Sequence, residues 1–334
     1  MSQFVLSTFR GRLTSNVTKT TFKTNLLRPL LLSHNFSSTT SNNNAVQNIA
    51  VFGSGLMGAG IVQVAAQNGF KVTMVDLNQE FIDRGKEIIN ASLKRVAKKQ
   101  HKDDAAAQKS LIESTWSNIE TNTDSVKGAE KADLIIEAIV ENLQTKQNLF
   151  QQLDKVAKPD AIFASNTSSL PISDIAKATR RLDKFAGLHF FNPVPQMKLV
   201  EIIKTNQTSE ETYNSLNDVI MKMKKAPVIC KDTPGFIVNR LLVPYLMEAI
   251  RLVERGEASI KDVDTAMKLG AGMPMGPFEL CDFVGLDTLK SIVDGWRKDG
   301  KIDASLVASA KSLDNLVESG HFGKKSGKGF HSYS

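Results

Sequence analysis

A glycine-rich turn between a short apolar run and a helical pattern constrains the fold of this chain most. Residues 47–52 lead directly into Gly53-Ser-Gly55-Leu-Met-Gly58, and a helical pattern continues to Asn68. A second apolar run, 71–75, ends at Asp76. Strand, glycine turn, helix, strand and acid thus follow one another within about 30 residues, as a dinucleotide-binding unit requires.

Each part of this unit has a role in that interpretation. The first glycine permits a tight turn, the second lets the backbone approach the pyrophosphate, and the third lets helix and strand pack closely. The helix N-terminus offers unpaired N–H groups to the phosphates. A glycine turn alone is a weak signal, and a purely structural turn is the alternative, but the flanking elements favour a cofactor site formed by Gly53, Ser54, Gly55, Leu56, Met57 and Gly58.

The acid that ends the second strand favours NAD over NADP. Asp76 lies 23 positions after Gly53, where a carboxylate can accept hydrogen bonds from the adenosine ribose. The same carboxylate would repel a 2′-phosphate, and the next residues, Leu77 and Asn78, include no arginine.

The order of patterns predicts two domains in 334 residues. An α/β Rossmann-type domain with a mostly parallel sheet is expected over 46–231, and an all-helical domain over 232–334, after the turn cluster Lys231-Asp-Thr-Pro-Gly. Further strands are predicted at 133–139, 161–165, 185–190, 199–203 and 226–230. Helices are predicted at 79–100, 143–156, 209–224, 235–256, 259–269, 277–283, 285–298 and 304–319. A loop or helix hairpin is expected at 101–110 and a flexible basic tail at 323–330.

The net charge of +7 belongs mostly to the N-terminus. The first 45 residues contain five Arg and Lys and no acid, and the remaining 37 basic residues nearly balance 35 acidic ones. A nucleic-acid surface is therefore not indicated. This Ser-, Thr- and Asn-rich segment predicts a mitochondrial transit peptide over 1–44, cleaved between Phe36 and Asn44. The alternative is a tail without a targeting signal.

Composition also argues against other classes. No apolar run reaches the roughly 18 residues of a membrane span. The two cysteines, Cys230 and Cys281, lie in apolar surroundings and are interpreted as buried free thiols. No paired Cys/His spacing appears, so no metal site is expected.

A His and a Glu on neighbouring predicted strands form a candidate catalytic pair. The stretch 185–203 contains two apolar runs joined by a proline-bearing turn, with His189 on the first and Glu201 on the second. A His held by a carboxylate can act as a general base, and beside a nicotinamide this suggests alcohol oxidation. The pattern alone also suits a core histidine.

Other candidates follow the ends of predicted strands. Ligands of open parallel sheets bind beyond the carboxyl ends of the strands, where Glu141 and Ser168 lie. Ser168 also suits a helix cap, and Glu141 a solvated helix start. The basic end of helix 79–100 is either a solvated face or a phosphate-binding surface.

From about residue 46 to the C-terminus the chain resembles the 3-hydroxyacyl-CoA dehydrogenase family of fatty-acid β-oxidation. The resemblance rests on the glycine turn and on more specific stretches, namely Glu137-Ala-Ile-Val-Glu-Asn, Phe163-Ala-Ser-Asn-Thr-Ser-Ser, Gly187-Leu-His-Phe-Phe-Asn-Pro-Val, Lys231-Asp-Thr-Pro-Gly-Phe-Ile-Val-Asn-Arg and Pro274-Met-Gly-Pro-Phe-Glu-Leu. It implies a mitochondrial matrix enzyme that oxidises (S)-3-hydroxyacyl-CoA with NAD, and a homodimer formed by the helical domain.

The resemblance also implies roles for matching residues. His189 would be the base and Glu201 its partner, with Ser168 between substrate and nicotinamide and Asn239 on the reacting oxygen. Coenzyme A would contact Ser92 and Lys99, whereas the following segment, 100–112, departs from the family pattern. NAD would also contact Glu141, Lys146, Asn192 and Lys325. Two alternatives remain, a catalytically inactive NAD-binding homologue and a dehydrogenase of free 3-hydroxy acids.

Overall fold

A single eight-stranded sheet organises the first two thirds of the described chain. The computed structural model describes Ala45–Tyr333, so the predicted transit peptide lies outside the described residues. The strand order is β3-β2-β1-β4-β5-β6-β7-β8, and all neighbours are parallel except the antiparallel pair β6–β7. The strands are β1 (Asn48–Phe52), β2 (Lys71–Val75), β3 (Ile119–Asn122), β4 (Leu134–Glu137), β5 (Ile162–Ser165), β6 (Phe185–Phe190), β7 (Leu199–Lys204) and β8 (Ala226–Lys231).

Helices cover both faces of this sheet, because its central strands are apolar on both sides. In β1, Ile49 and Val51 join one core with residues of α1, α2 and α7, whereas Ala50 and Phe52 join a second core with residues of α4, α5 and α6. The helices are α1 (Leu56–Gln67), α2 (Gln79–Gln100), α3 (Ala105–Trp116), α4 (Ser125–Ala129), α5 (Leu143–Leu153), α6 (Ile172–Ala176) and α7 (Glu210–Lys222). A single 3₁₀ turn, Leu182–Lys184, precedes β6.

The last third of the described chain is helical and has its own core, which includes Leu246, Met247, Phe278 and Trp296. The α/β sheet domain and the following helical region agree with the predicted fold class. Its helices are α8 (Val238–Glu254), α9 (Ile260–Gly270), α10 (Pro277–Val284), α11 (Leu286–Asp299) and α12 (Lys311–Glu318), followed by a 3₁₀ turn at Lys324–Ser326. Within Ala45–Tyr333, none of the helices has the length and apolar character needed to cross a membrane.

The structure differs from the sequence predictions at several points. Strand β3 was not predicted, because this edge strand is short and reads Ile-Glu-Thr-Asn without an apolar run. The predicted helix 304–319 begins only at Lys311, since Asp303 accepts hydrogen bonds from the N–H and hydroxyl of Ser305 in a turn. Cys230 is half-buried rather than buried; Cys281 is buried, and both thiols are free.

The expected flexible tail is in fact folded against α10. Asp282, which is buried, accepts hydrogen bonds from the N–H groups of Phe330 and His331 and from the hydroxyl of Tyr333. A Cβ on Gly329 would lie 2.0 Å from Asp282 Oδ1. This glycine therefore serves close packing rather than flexibility, which the sequence pattern could not distinguish.

Candidate active site

The predicted His–Glu pair is formed across the antiparallel strands β6 and β7. His189 and Glu201 are direct register partners, and Nδ1 of His189 lies 2.7 Å from Oε2 of Glu201. Facing residues of an antiparallel pair point their side chains to the same side of the sheet. With the proton on Nδ1 donated to the carboxylate, Nε2 is an acceptor.

Aromatic rings enclose the imidazole of His189. The ring of Phe191 lies 4.4 Å from it and the ring of Phe236 lies 5.5 Å away, measured between centroids. The His189 side chain is only 7% exposed. Among the hydrogen bonds of residues 45–333, only Nδ1 of this imidazole takes part, so Nε2 is available to a ligand.

Glu201 is fixed by more than the histidine. Its Oε1 accepts hydrogen bonds from the backbone N–H groups of Ile237 and Val238, at 3.0 and 2.9 Å, at the N-terminus of α8. Burial by itself would raise the pKa of Glu201, but the hydrogen bonds from His189 and from α8 outweigh it and hold that pKa below its usual value. The carboxylate thus stays ionised and joins the sheet to the first helix of the helical region.

The loop after β5 carries Ser168 and is held by a carboxylate. Oε1 of Glu141 accepts hydrogen bonds from the hydroxyl of Thr167 and from the backbone N–H groups of Ser168 and Ser169, the latter two at 3.1 Å. Asn239, on α8, lies with its Nδ2 3.5 Å from the carbonyl oxygen of Ser168. The structure therefore brings two predicted substrate residues together, and Glu141 is not simply a solvated helix start.

Lys146 belongs to a buried network of charged side chains at the carboxyl end of β4. Its side chain is 1% exposed, and its Nζ lies 2.5 Å from Glu137 and 3.2 Å from Glu141. Glu137, at the end of β4, also accepts hydrogen bonds from the hydroxyl of Ser165 and the N–H of Ile139. The predicted cofactor residue Lys146 thus orients carboxylates at the strand ends.

A cleft of about 760 Å³ opens at the carboxyl ends of the first strands, lined by Gly53, Ser54, Gly55 and Asp76 among others. The glycine turn fits a pyrophosphate there. A Cβ on Gly58 would lie 1.7 Å from the carbonyl oxygen of Gly53, whereas a Cβ on Gly55 would meet nothing within 4 Å. One glycine is thus required by the turn itself, and the other leaves the backbone open to a ligand.

Asp76 is held in this cleft by the turn. Its Oδ2 accepts hydrogen bonds of 2.6 Å from both the N–H and the hydroxyl of Ser54, and its Oδ1 accepts one from the N–H of Leu77. Each oxygen retains further acceptor capacity. The carboxylate therefore has a fixed orientation at the position where a ribose is expected. Leu56 is exposed at the start of α1, and Met57 packs against the core.

The other predicted site residues form no hydrogen bond with this cluster within residues 45–333. Asn192 is exposed in the loop that connects β6 to β7. Ser92 and exposed Lys99 lie seven positions apart on one face of α2. Lys325 pairs with Asp287 at 2.6 Å, near the start of α11.

Sequence reasoning missed several residues that build the site. Glu137 and Thr167 belong to the network around Lys146 and Glu141, and Oδ1 of Asn166 accepts the N–H of Phe190 next to the histidine. Phe191 and Phe236 enclose His189. The polar residues among them, Glu137, Asn166 and Thr167, lie at or just after the ends of buried strands, and this position was the signal by which the sequence could have identified them. Which side chains pair with one another depends on the order of the strands in the sheet.

Comparison with known proteins identifies the family. Residues 48–233 match the 3-hydroxyacyl-CoA dehydrogenase NAD-binding domain, and residues 235–333 match its C-terminal domain. The chain is 57% identical over 290 residues to the mitochondrial hydroxyacyl-coenzyme A dehydrogenase of Homo sapiens, covering 86% of this chain and 91% of that protein.

Solved structures agree with this assignment. The (S)-3-hydroxybutyryl-CoA dehydrogenase PaaH1 from Ralstonia eutropha superposes with a TM-score of 0.81 at 35% identity, covering 86% of this chain and 99% of that one. FadB2 of M. tuberculosis gives 0.80 at 40% identity, covering 87% and 100%. The chain therefore belongs to the 3-hydroxyacyl-CoA dehydrogenase family and is an NAD-dependent oxidoreductase.

Proposed function

We propose that this chain oxidises (S)-3-hydroxyacyl-CoA to 3-oxoacyl-CoA in fatty-acid β-oxidation. The observation that carries the proposal is the 2.7 Å contact between His189 and Glu201, on the same sheet whose β1 and β2 ends line the proposed dinucleotide cleft. NAD, when bound, supplies the hydride acceptor. Free Nε2 of His189 takes the proton of the 3-hydroxyl group, so that proton and hydride leave the substrate from oxygen and carbon respectively.

Glu201 has two tasks in this mechanism. Its hydrogen bond to Nδ1 selects the tautomer in which Nε2 accepts a proton, and its negative charge stabilises the imidazolium that then forms. The two N–H groups from α8 keep the carboxylate oriented while the imidazole changes its charge. Phe191 and Phe236 limit the access of water to the pair.

Ser168 and Asn239 are proposed to hold the substrate. Asn239 would donate to the reacting oxygen and orient the thioester, and Ser168 would lie between substrate and nicotinamide. The 3.5 Å approach of Asn239 to the Ser168 carbonyl supports a common binding place. Residues 232–334 would then form the substrate and dimerisation domain, following an NAD-binding domain over 46–231.

The remaining cofactor contacts are proposed around the cleft. The turn Gly53–Gly58 would receive the pyrophosphate and Asp76 the ribose. Glu141 and Asn192 would lie nearer the nicotinamide. For Lys146 we propose an indirect part, since its ammonium already pairs with Glu137 and Glu141. Lys325 would have to leave Asp287 to reach NAD.

On α2, Ser92 and Lys99 are proposed to bind coenzyme A. Lys99 is exposed, and its compact ammonium suits a phosphate. A homodimer through the helical region is also proposed. Large exposed apolar side chains there, Leu241 at 70%, Leu269 at 83% and Phe283 at 54%, support it. Sedimentation at several concentrations would test the dimer.

A location in the mitochondrial matrix is proposed from the composition of residues 1–44 and from the mitochondrial relatives. Fusing 1–44 to a fluorescent reporter should direct it to the matrix, and deleting them should block import while leaving the activity intact. A reporter that stays in the cytosol would contradict the proposal.

The activity itself is tested by NADH absorbance. Acetoacetyl-CoA should cause oxidation of NADH, with much slower oxidation of NADPH and none with free acetoacetate. Equal rates with acetoacetate would favour a dehydrogenase of free 3-hydroxy acids. Binding of NADH without any oxidation would favour an inactive homologue.

A further inference from the structure

A buried lysine outside the proposed catalytic groups contacts the loop that connects the two catalytic strands. Lys225 is 7% exposed and follows α7, where Lys224 has a positive φ of 58° and turns the chain into β8. The Nζ of Lys225 lies 2.6 Å from the carbonyl oxygen of Val194 and 2.6 Å from that of Met197. The ammonium therefore bonds to two carbonyls of one loop.

No carboxylate within Ala45–Tyr333 forms an ion pair with Lys225. Burial and the neighbouring charge of Lys198 lower the pKa of Lys225 to about 8. A buried lysine without a counter-ion is costly, and an apolar side chain of similar length could fill the same space. A methionine at position 225 would lose the two hydrogen bonds to the carbonyls of Val194 and Met197.

The loop itself, residues 191–198, begins next to the catalytic base. Phe191 packs against the ring of His189, and Asn192 is exposed at the edge of the sheet. Val194 is buried against α1, where a Cβ on Gly60 would come within 2.8 Å of the Val194 Cβ. The loop is thus held between the helix that follows the glycine turn and the ammonium of Lys225.

We propose that Lys225 is a positioning residue that holds the β6–β7 loop, and with it Asn192, in the conformation that receives NAD. This inference rests on the proposed contact between Asn192 and the cofactor. In this proposal Lys225 acts through the loop, by its hydrogen bonds to the carbonyls of Val194 and Met197, and not by a contact of its own with cofactor or substrate.

The variant Lys225→Met removes the donors but keeps the length of the side chain. The dissociation constant of NADH, measured by fluorescence, should rise about tenfold, as loss of charge-assisted hydrogen bonds would give. The kcat at saturating NADH should stay within about threefold, because only binding is affected. Lys225→Arg, which keeps charge and donors, should recover most of the affinity. Lys198→Met, an exposed lysine of the same loop, is the matched control and should bind normally.

A double-mutant cycle separates this inference from the role of Asn192. Asn192→Ala alone should weaken NADH binding; if it does not, the proposed contact of Asn192 is wrong. In the Asn192→Ala background, Lys225→Met should weaken binding by less than about threefold, because both changes act on one contact. Full additivity, unchanged binding in Lys225→Met, or a Lys225→Met protein that does not fold would each overturn the positioning role.

Discussion

Across the one antiparallel pair in the described sheet, His189 and Glu201 face each other in register, with Nδ1 and Oε2 2.7 Å apart. The other oxygen of the same carboxylate binds the N-terminus of α8. One side chain therefore links the proposed base to the first helix of the helical region. The position of α8 therefore bears on the orientation of the proposed base through Glu201.

Glu201→Gln should lower kcat about a hundredfold or more, because an amide neither stabilises an imidazolium nor fixes its tautomer as a carboxylate does. Binding of NADH should remain within about twofold, since Glu201 does not line the cleft beside Gly53 and Asp76 that we propose for the cofactor. Steady-state rates and NADH fluorescence measure the two effects. Glu211→Gln, an exposed acid on α7, is the control and should be unaffected. A near-normal kcat for Glu201→Gln would remove this residue from the mechanism.

The two glycines of the turn should respond differently to a methyl group. Gly58→Ala places a Cβ 1.7 Å from a backbone carbonyl and should lower both the melting temperature and NADH affinity. Gly55→Ala meets no protein atom within 4 Å, so its melting temperature should be nearly unchanged while NADH affinity falls. Calorimetry and NADH titration distinguish them. Normal affinity in folded Gly55→Ala would mean that no cofactor phosphate approaches this position.

Lys99→Ala should raise the KM for acetoacetyl-CoA about two- to fivefold with kcat unchanged, the effect expected for one exposed ionic contact. Lys98→Ala changes the neighbouring exposed residue on another face of α2 and serves as control. With acetoacetyl-pantetheine, which lacks the distant phosphates, the two variants should behave alike. An unchanged KM in Lys99→Ala would argue against a coenzyme A contact there.

The lowered pKa of Glu201 predicts a dependence of stability on pH. Because its folded-state pKa lies below the ordinary 4.5, the carboxylate contributes stability that is fully present above pH 4.5. This contribution is lost as pH falls through the folded-state pKa. Urea unfolding from pH 7 downwards should therefore show a shallower acid loss in Glu201→Gln than in the wild type. Parallel curves would show that Glu201 ionises alike in the folded and unfolded chains.

Most helices and strands were predictable because their apolar residues recur at the spacing typical of a helix or form the short apolar run of a buried strand. The glycine turn, Asp76 and α2 follow directly from the sequence pattern. Residues 119–122 were not predicted, since a polar edge strand has no period of its own. The tail was misjudged because glycines that allow contact with buried Asp282 look like flexible ones.

The sequence predicted which residues belong to the candidate site, but not all of the hydrogen bonds and ion pairs that connect them. His189 and Glu201 could be paired because they lie on consecutive strands. The network of Glu137, Lys146 and Glu141 could not, because it depends on how the loop after β4 places α5 against the strand end. Its hydrogen bonds from Ser165 and Thr167 depend on β4 and β5 lying side by side. The contact of Lys225 with the loop joins residues about 30 positions apart through two backbone carbonyls, which leave no signal in a sequence.

The most direct test of the mechanism is the rate of NADH oxidation with saturating acetoacetyl-CoA in His189→Gln, together with NADH titration of the same protein. We expect kcat to fall about a thousandfold, as loss of a general acid–base group requires, with NADH affinity retained. His101→Gln, which changes a histidine beyond the end of α2, should retain full activity. A His189→Gln enzyme that turns over at a near-normal rate would contradict the assignment of His189 as the catalytic base.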